Sequence, residues 1–78
     1  MSETYQVWQF LSGGAQEKVR DGVGPEEAVK AAHHYTHNVA ARLGLTERVI
    51  ITDDGDCTVL EWRKGQGIVF PPEMAGRK

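Results

Sequence analysis

PEEAVKAAHHYTHNVAARL, residues 25–43, is the one long stretch with clean helical periodicity and marked ends, and the reading of the whole chain turns on it. On a helical wheel Ala28, Val29, Ala32, Tyr35, Thr36, Val39, Ala40 and Leu43 gather on one side, while Glu26, Glu27, Lys30, His34, His37 and Asn38 gather on the other. Pro25 suits the first helical position, Glu26 and Glu27 set negative charge against the positive end of the helix dipole, Arg42 sits in the last turn, and Gly44 offers a left-handed stop. The pattern predicts one long amphipathic helix from Pro25 to Leu43 that lies on a sheet.

The segments around it read as strands. Tyr5–Leu11 (YQVWQFL) is rich in aromatic and β-branched residues, but both of its faces are apolar: Tyr5, Val7 and Leu11 on one, Trp8 and Phe10 on the other. Which face is buried stays open. After the Ser12-Gly13-Gly14 turn, AQEKVRDGV returns as a polar strand with Val19 and Val23 inward, and its charges suit a sheet edge. Beyond Gly44, RVIITDDGDCTVLEWR reads as a hairpin on a two-residue Asp54-Gly55 turn, pairing Ile51 with Thr58, Val49 with Leu60 and Ile50 with Val59. Val49, Ile51, Leu60 and Trp62 are then the core beneath the helix. A further turn leads to Ile68-Val69-Phe70, a short last strand stopped by Pro71 and Pro72.

The expected fold class is therefore α+β: two layers, one long helix packed on a four- to five-stranded antiparallel sheet, in the order ββαββ, or ββαβββ if the last segment pairs. Seventy-eight residues make a single domain, residues 1–78, with an ordered core over 4–72 and a loose C-terminal tail over 73–78. Because one helix covers one face, the other face would expose Ile50, Val59 and Cys57, together with either Trp8 and Phe10 or Tyr5 and Val7.

Composition narrows the function. Nine Lys and Arg against 11 Asp and Glu give a net charge of -2, which supplies no global positive field, so direct nucleic-acid binding is not expected. The apolar runs are too short for a membrane span, the N-terminal residues lack a basic and apolar leader, and the single Cys57 fits a reducing compartment, so the expected location is the cytoplasm.

Motifs that could carry chemistry are incomplete. His33 and His37 share a helical face at metal-ligand spacing, but His34 stands where a zincin needs its Glu, and no third ligand follows, so a metal site is not favoured and no cofactor is expected. Asp53, Asp54 and Asp56 are acidic enough to suggest a hard cation, yet a hairpin turn cannot wrap one; turn chemistry, or contact with basic groups of a partner, fits them better. Cys57 has no helix N-terminus beside it to lower its pKa. Trp8, Phe10 and Trp62 with Arg20, Arg48, Arg63 and Lys64 could form a stacking platform for single strands, which Glu61 and the three Asp weaken.

The run GVGPEEAVKAA, residues 22–32, resembles the strand-to-helix step of HicB-type antitoxins, a likeness covering Tyr5 to Val39 that implies a regulatory module. In size and plan the chain resembles the small phage-encoded anti-CRISPR proteins, which implies an inhibitor that occupies a site on a larger effector complex, with no functional residue to carry over. Together these readings lead to the expectation of a small non-enzymatic protein-binding module, not an enzyme, with a protein partner or a second copy of itself as a homodimer. Its expected contact residues are Asp53, Asp54, Asp56, Ile50, Val59, Glu61, Trp8 and Phe10. The alternatives are a HicB-like antitoxin and a metal-binding protein built on His33 and His37.

Overall fold

The structure, a computed structural model, describes residues 4–71. The expected tail, 73–78, and residue 72 at the end of the expected core lie outside the described residues. In chain order the elements are β1 (Tyr5–Leu11), β2 (Gln16–Val23), α1 (Pro25–His37), α2 (Val39–Arg42), β3 (Thr46–Asp53), β4 (Thr58–Arg63) and β5 (Gly67–Phe70). The five strands form one sheet ordered β2-β1-β3-β4-β5, with every neighbouring pair antiparallel. This is the α+β plan with the last segment paired, and β2 takes the edge that its charges suit. Because β1 runs antiparallel to both β2 and β3, those two are parallel, and the helical segment is the crossover that carries the chain over β1.

The long helix is not continuous. α1 stops at His37 after 13 residues; Asn38 then adopts extended backbone and caps a separate turn, its Oδ1 accepting from Ala41 N at 2.9 Å. Asparagine is among the best N-caps, and here it starts a new helix where the wheel carried one straight through. The second helix ends as expected: Gly44 takes φ 78, Leu45 N donates to Ala40 O at 2.9 Å and Gly44 N to Ala41 O at 3.0 Å, the paired bonds of a Schellman stop.

The break changes which residues are covered. The inner stripe is Ala28, Ala31 and Ala32, with Tyr35 half-buried, an i, i+3, i+4, i+7 pattern of small residues that lets α1 approach the sheet. Val29, Val39 and Leu43, all expected inward, are 56%, 70% and 69% exposed. Val29 sits at the margin of the stripe, and Val39 and Leu43 lie beyond the break, where the wheel no longer applies. Beneath α1 lie Val7, Val49 and Ile51, with Tyr5, Val19, Val23, Leu60 and Trp62 packed around them. Val7 is fully buried, so the Tyr5/Val7 side of β1 is the inner one.

The β3–β4 hairpin departs from the expected register by two residues. Its loop is the three residues Asp54, Gly55 and Asp56: Asp56 N donates to Asp53 O at 3.0 Å, Asp53 N to Cys57 O at 2.9 Å, and Asp56 takes the left-handed conformation at φ 63. That is a turn followed by a left-handed residue, the common three-residue hairpin loop. A bulge then drops Val59 from the ladder, so Ile51 pairs with Leu60, Ile50 with Glu61, Val49 with Trp62 and Arg48 with Arg63. An even shift preserves faces, which is why Val49, Ile51, Leu60 and Trp62 still meet on the helix side.

Candidate binding surface on the helix-free sheet face

Strand alternation and register build the second face of the sheet. Across it runs a row of Lys18, Trp8, Ile50, Glu61 and Phe70, one residue from each strand, and beside it a row of Gln16, Phe10, Arg48 and Arg63. Trp8 and Phe10 are two residues apart on β1, which sets them on the same face with their Cα atoms about 7 Å apart. Gln6 and Thr52 close the row beyond, joined by a hydrogen bond from Thr52 Oγ1 to Gln6 Oε1 at 2.9 Å.

Each ring on β1 carries a cation. Lys18 Nζ lies 5.2 Å from the Trp8 ring centroid and Arg48 Cζ 4.4 Å from that of Phe10, both within cation–π range. Glu61, with a side chain only 19% exposed, is held between two arginines: Arg63 Nε donates to its Oε2 at 2.7 Å, and Arg48 Nε stands 3.6 Å from the same oxygen. The longer of these is an ion pair without a hydrogen bond, and Arg48 Nε has no hydrogen-bond partner. At the end of the face near the β4–β5 turn, a cavity of about 300 Å³ is lined by Phe10, Glu47, Arg48, Arg63, Lys64 and Gln66. Lys64 is tethered there, its Nζ donating to Gly44 O at 3.1 Å and lying 3.4 Å from Glu47 Oε2.

The expected contact residues are only partly united. Trp8, Phe10, Ile50 and Glu61 come together. Ile50, expected to be open, is 9% exposed, because on the central strand it lies between the larger Trp8 and Glu61 of the flanking strands. It is a second, small core on this face. Val59 is 37% exposed but sits in the bulge, out of the ladder. Asp53, Asp54 and Asp56 lie at the opposite end of β3 from Arg48 and Lys64, and Asp53 serves the turn: its Oδ1 accepts from Gly55 N at 2.9 Å and Cys57 N at 3.0 Å. Asp54 accepts from Thr4 Oγ1. Arg20 and Trp62, candidates for a stacking platform, belong to the helix side, where Arg20 faces Glu27 at 3.8 Å and Trp62 packs against the core.

Lys18, Arg48, Arg63 and Phe70 complete the face, and of these Lys18 and Phe70 escape the sequence reading. Both sit on edge strands, so their partnership with Trp8 and Glu61 depends on registers that local patterning does not fix. His33 and His37 stack with ring centroids 4.2 Å apart, and His37 Nδ1 donates to the His33 carbonyl oxygen at 2.9 Å, so that nitrogen is committed to the helix backbone. Among the described residues no group of three or more His, Cys, Asp or Glu side chains could hold a metal ion, and no helix is long and apolar enough to cross a membrane. No protein family, curated protein or solved structure matches the chain.

Proposed function

We propose that this chain is a small non-enzymatic binding module whose working surface is the helix-free face of its sheet. The observation that carries the reading is the row Lys18–Trp8–Ile50–Glu61–Phe70 with Phe10, Arg48 and Arg63 beside it. Tryptophan and arginine are the residue types that dominate binding energy at macromolecular contacts, and a half-exposed ring group around a buried aliphatic centre is how such anchors are seated. The version in which the partner is a larger protein complex, occupied as anti-CRISPR proteins occupy their effectors, rests on size and plan. A HicB-like regulatory role rests on a likeness over Tyr5 to Val39 whose quoted run, residues 22–32, forms the end of β2 and the start of α1.

The Asp turn is not part of the surface in this reading. The test compares affinity capture from the native host by the wild-type chain, Trp8→Glu and the double variant Asp54→Asn/Asp56→Asn, each first shown to be folded. Loss of one specific, stoichiometric partner in Trp8→Glu and its retention in the double Asn variant is the expected result. Retention in Trp8→Glu with loss in the double variant would move the contact to the turn and refute the proposal.

A further inference from the structure

The net charge of -2 argues against nucleic acid only if charge is spread evenly, and on the open face it is not. Lys18, Arg48 and Arg63 all stand there. Its central carboxylate, Glu61, is neutralised from both sides by Arg48 and Arg63, and the acids at its margins are paired as well, Asp21 with Lys18 at the β2 edge at 3.6 Å and Glu47 with Lys64 at 3.4 Å. Asp54 and Asp56 are at the far turn. The acids that weaken a stacking platform in the sequence are thus either neutralised or elsewhere in the fold.

From this arrangement, and resting on the open face being the contact surface, we infer that it binds single-stranded nucleic acid, with bases replacing Lys18 and Arg48 on the faces of Trp8 and Phe10 and the displaced cations, with Arg63, meeting the phosphates. The two rings are on one strand at a spacing that suits neighbouring bases of an extended strand, and stacking on aromatic or guanidinium planes tolerates any base. The cavity beside Phe10 is lined by Arg48, Arg63 and Lys64 and by one acid, Glu47, which pairs with Lys64 at 3.4 Å, so three cations against one carboxylate flank a path for the sugar–phosphate chain off the sheet. A duplex does not fit this scheme, because its bases have no free faces to stack. An acidic protein segment would use the same cations but has little use for paired rings, so it is the alternative that the experiment must separate.

Trp8 reports directly if Trp62, on the other face, is replaced. The chain carrying Trp62→Phe is titrated with a 15-nucleotide oligo-dT while Trp8 fluorescence is followed. Saturable quenching is expected, with log affinity falling against log salt with a slope of about -2 for three phosphate contacts. Phe10→Leu, which keeps an apolar side chain but removes the ring, should weaken binding roughly 5- to 150-fold, the range that one base–aromatic stack spans. If Trp62→Phe fails to fold, anisotropy of a fluorescein-labelled oligo-dT with the wild-type chain gives the same answer. Absence of saturable binding, equal binding of a 15-base-pair duplex, indifference to Phe10→Leu, or equal quenching by poly-L-glutamate would each overturn the inference, the last in favour of an acidic protein. Failure with oligo-dT while Trp8→Glu still abolishes partner capture would remove the nucleic-acid inference alone; failure of both would remove the open-face reading as well.

Discussion

Replacing Ile50 by Asp separates the two faces of β3 more sharply than any other change. At 9% exposure Ile50 is a core residue on a face that no helix covers, one of four consecutive buried positions from Val49 to Thr52. Losing its packing alone costs about 2–5 kcal/mol by analogy with large-to-small core changes. The new carboxylate would also be buried directly across from Glu61, and an unfavourably placed buried charge adds further cost. The total is at least about 4 kcal/mol, against a stability of roughly 4–12 kcal/mol for a chain of this length. With a urea m-value of about 1 kcal/mol/M, fitting for so small a domain, the midpoint falls by about 4 M or the chain is unfolded in water. Val59→Asp, which would look equivalent on a regular hairpin, is made in the 37%-exposed bulge and should change stability by less than about 1 kcal/mol. Urea denaturation followed by far-UV circular dichroism measures both. Equal midpoint shifts for the two variants would refute the register and the bulge together.

Asn38→Ala removes the cap of α2 and should cost about 0.5–2 kcal/mol in the same assay, whereas a position inside one continuous helix would gain from alanine. Leu43→Glu changes a 69%-exposed residue and should move stability by no more than about 0.5 kcal/mol; a loss above 2 would return Leu43 to the core. Asp56→Gly relieves a left-handed backbone conformation and should stabilise by up to about 1 kcal/mol, read as a higher urea midpoint. Glu61→Gln frees Arg48 and Arg63, whose side chains are 36% and 48% exposed, so the stability change stays under about 1 kcal/mol while oligo-dT affinity rises; a fall in affinity would show that Glu61 organises the arginines for binding.

How far the sequence could be read follows from the range of each interaction. Local signals were sound: Pro25 and Glu26 opening a helix, Gly44 closing one, the charges of β2 marking an edge, and the turn around Gly55 joining β3 to β4. The hairpin's faces were legible because the loop's extra residue and the bulge at Val59 together move the register by two, leaving alternation intact. The helix break was not, since Asn38 falls in phase with the polar side and its capping bond shows only in three dimensions. The buried face of β1 could not be chosen, because Tyr5 and Val7 are as apolar as Trp8 and Phe10; the fit of α1 on Val7 decides it. The contact surface is half legible. Trp8, Phe10, Ile50 and Glu61 follow from strand alternation and Arg48 and Arg63 are candidates beside the rings, but the three Asp point to the turn by charge alone, and only the register across the strands adds Lys18 and separates Arg20 and Trp62 from this face.

The central claim, that the helix-free face is where this protein makes contact, is most directly tested by backbone and side-chain NMR shifts of the wild-type chain during titration with oligo-dT. The account predicts shifts concentrated on Trp8, Phe10, Lys18, Arg48 and Arg63, including the Trp8 indole N–H, with α1 and the Asp53–Cys57 turn unmoved. No shifts at all would remove the nucleic-acid inference alone; shifts centred on α1, α2 or that turn would contradict the central claim.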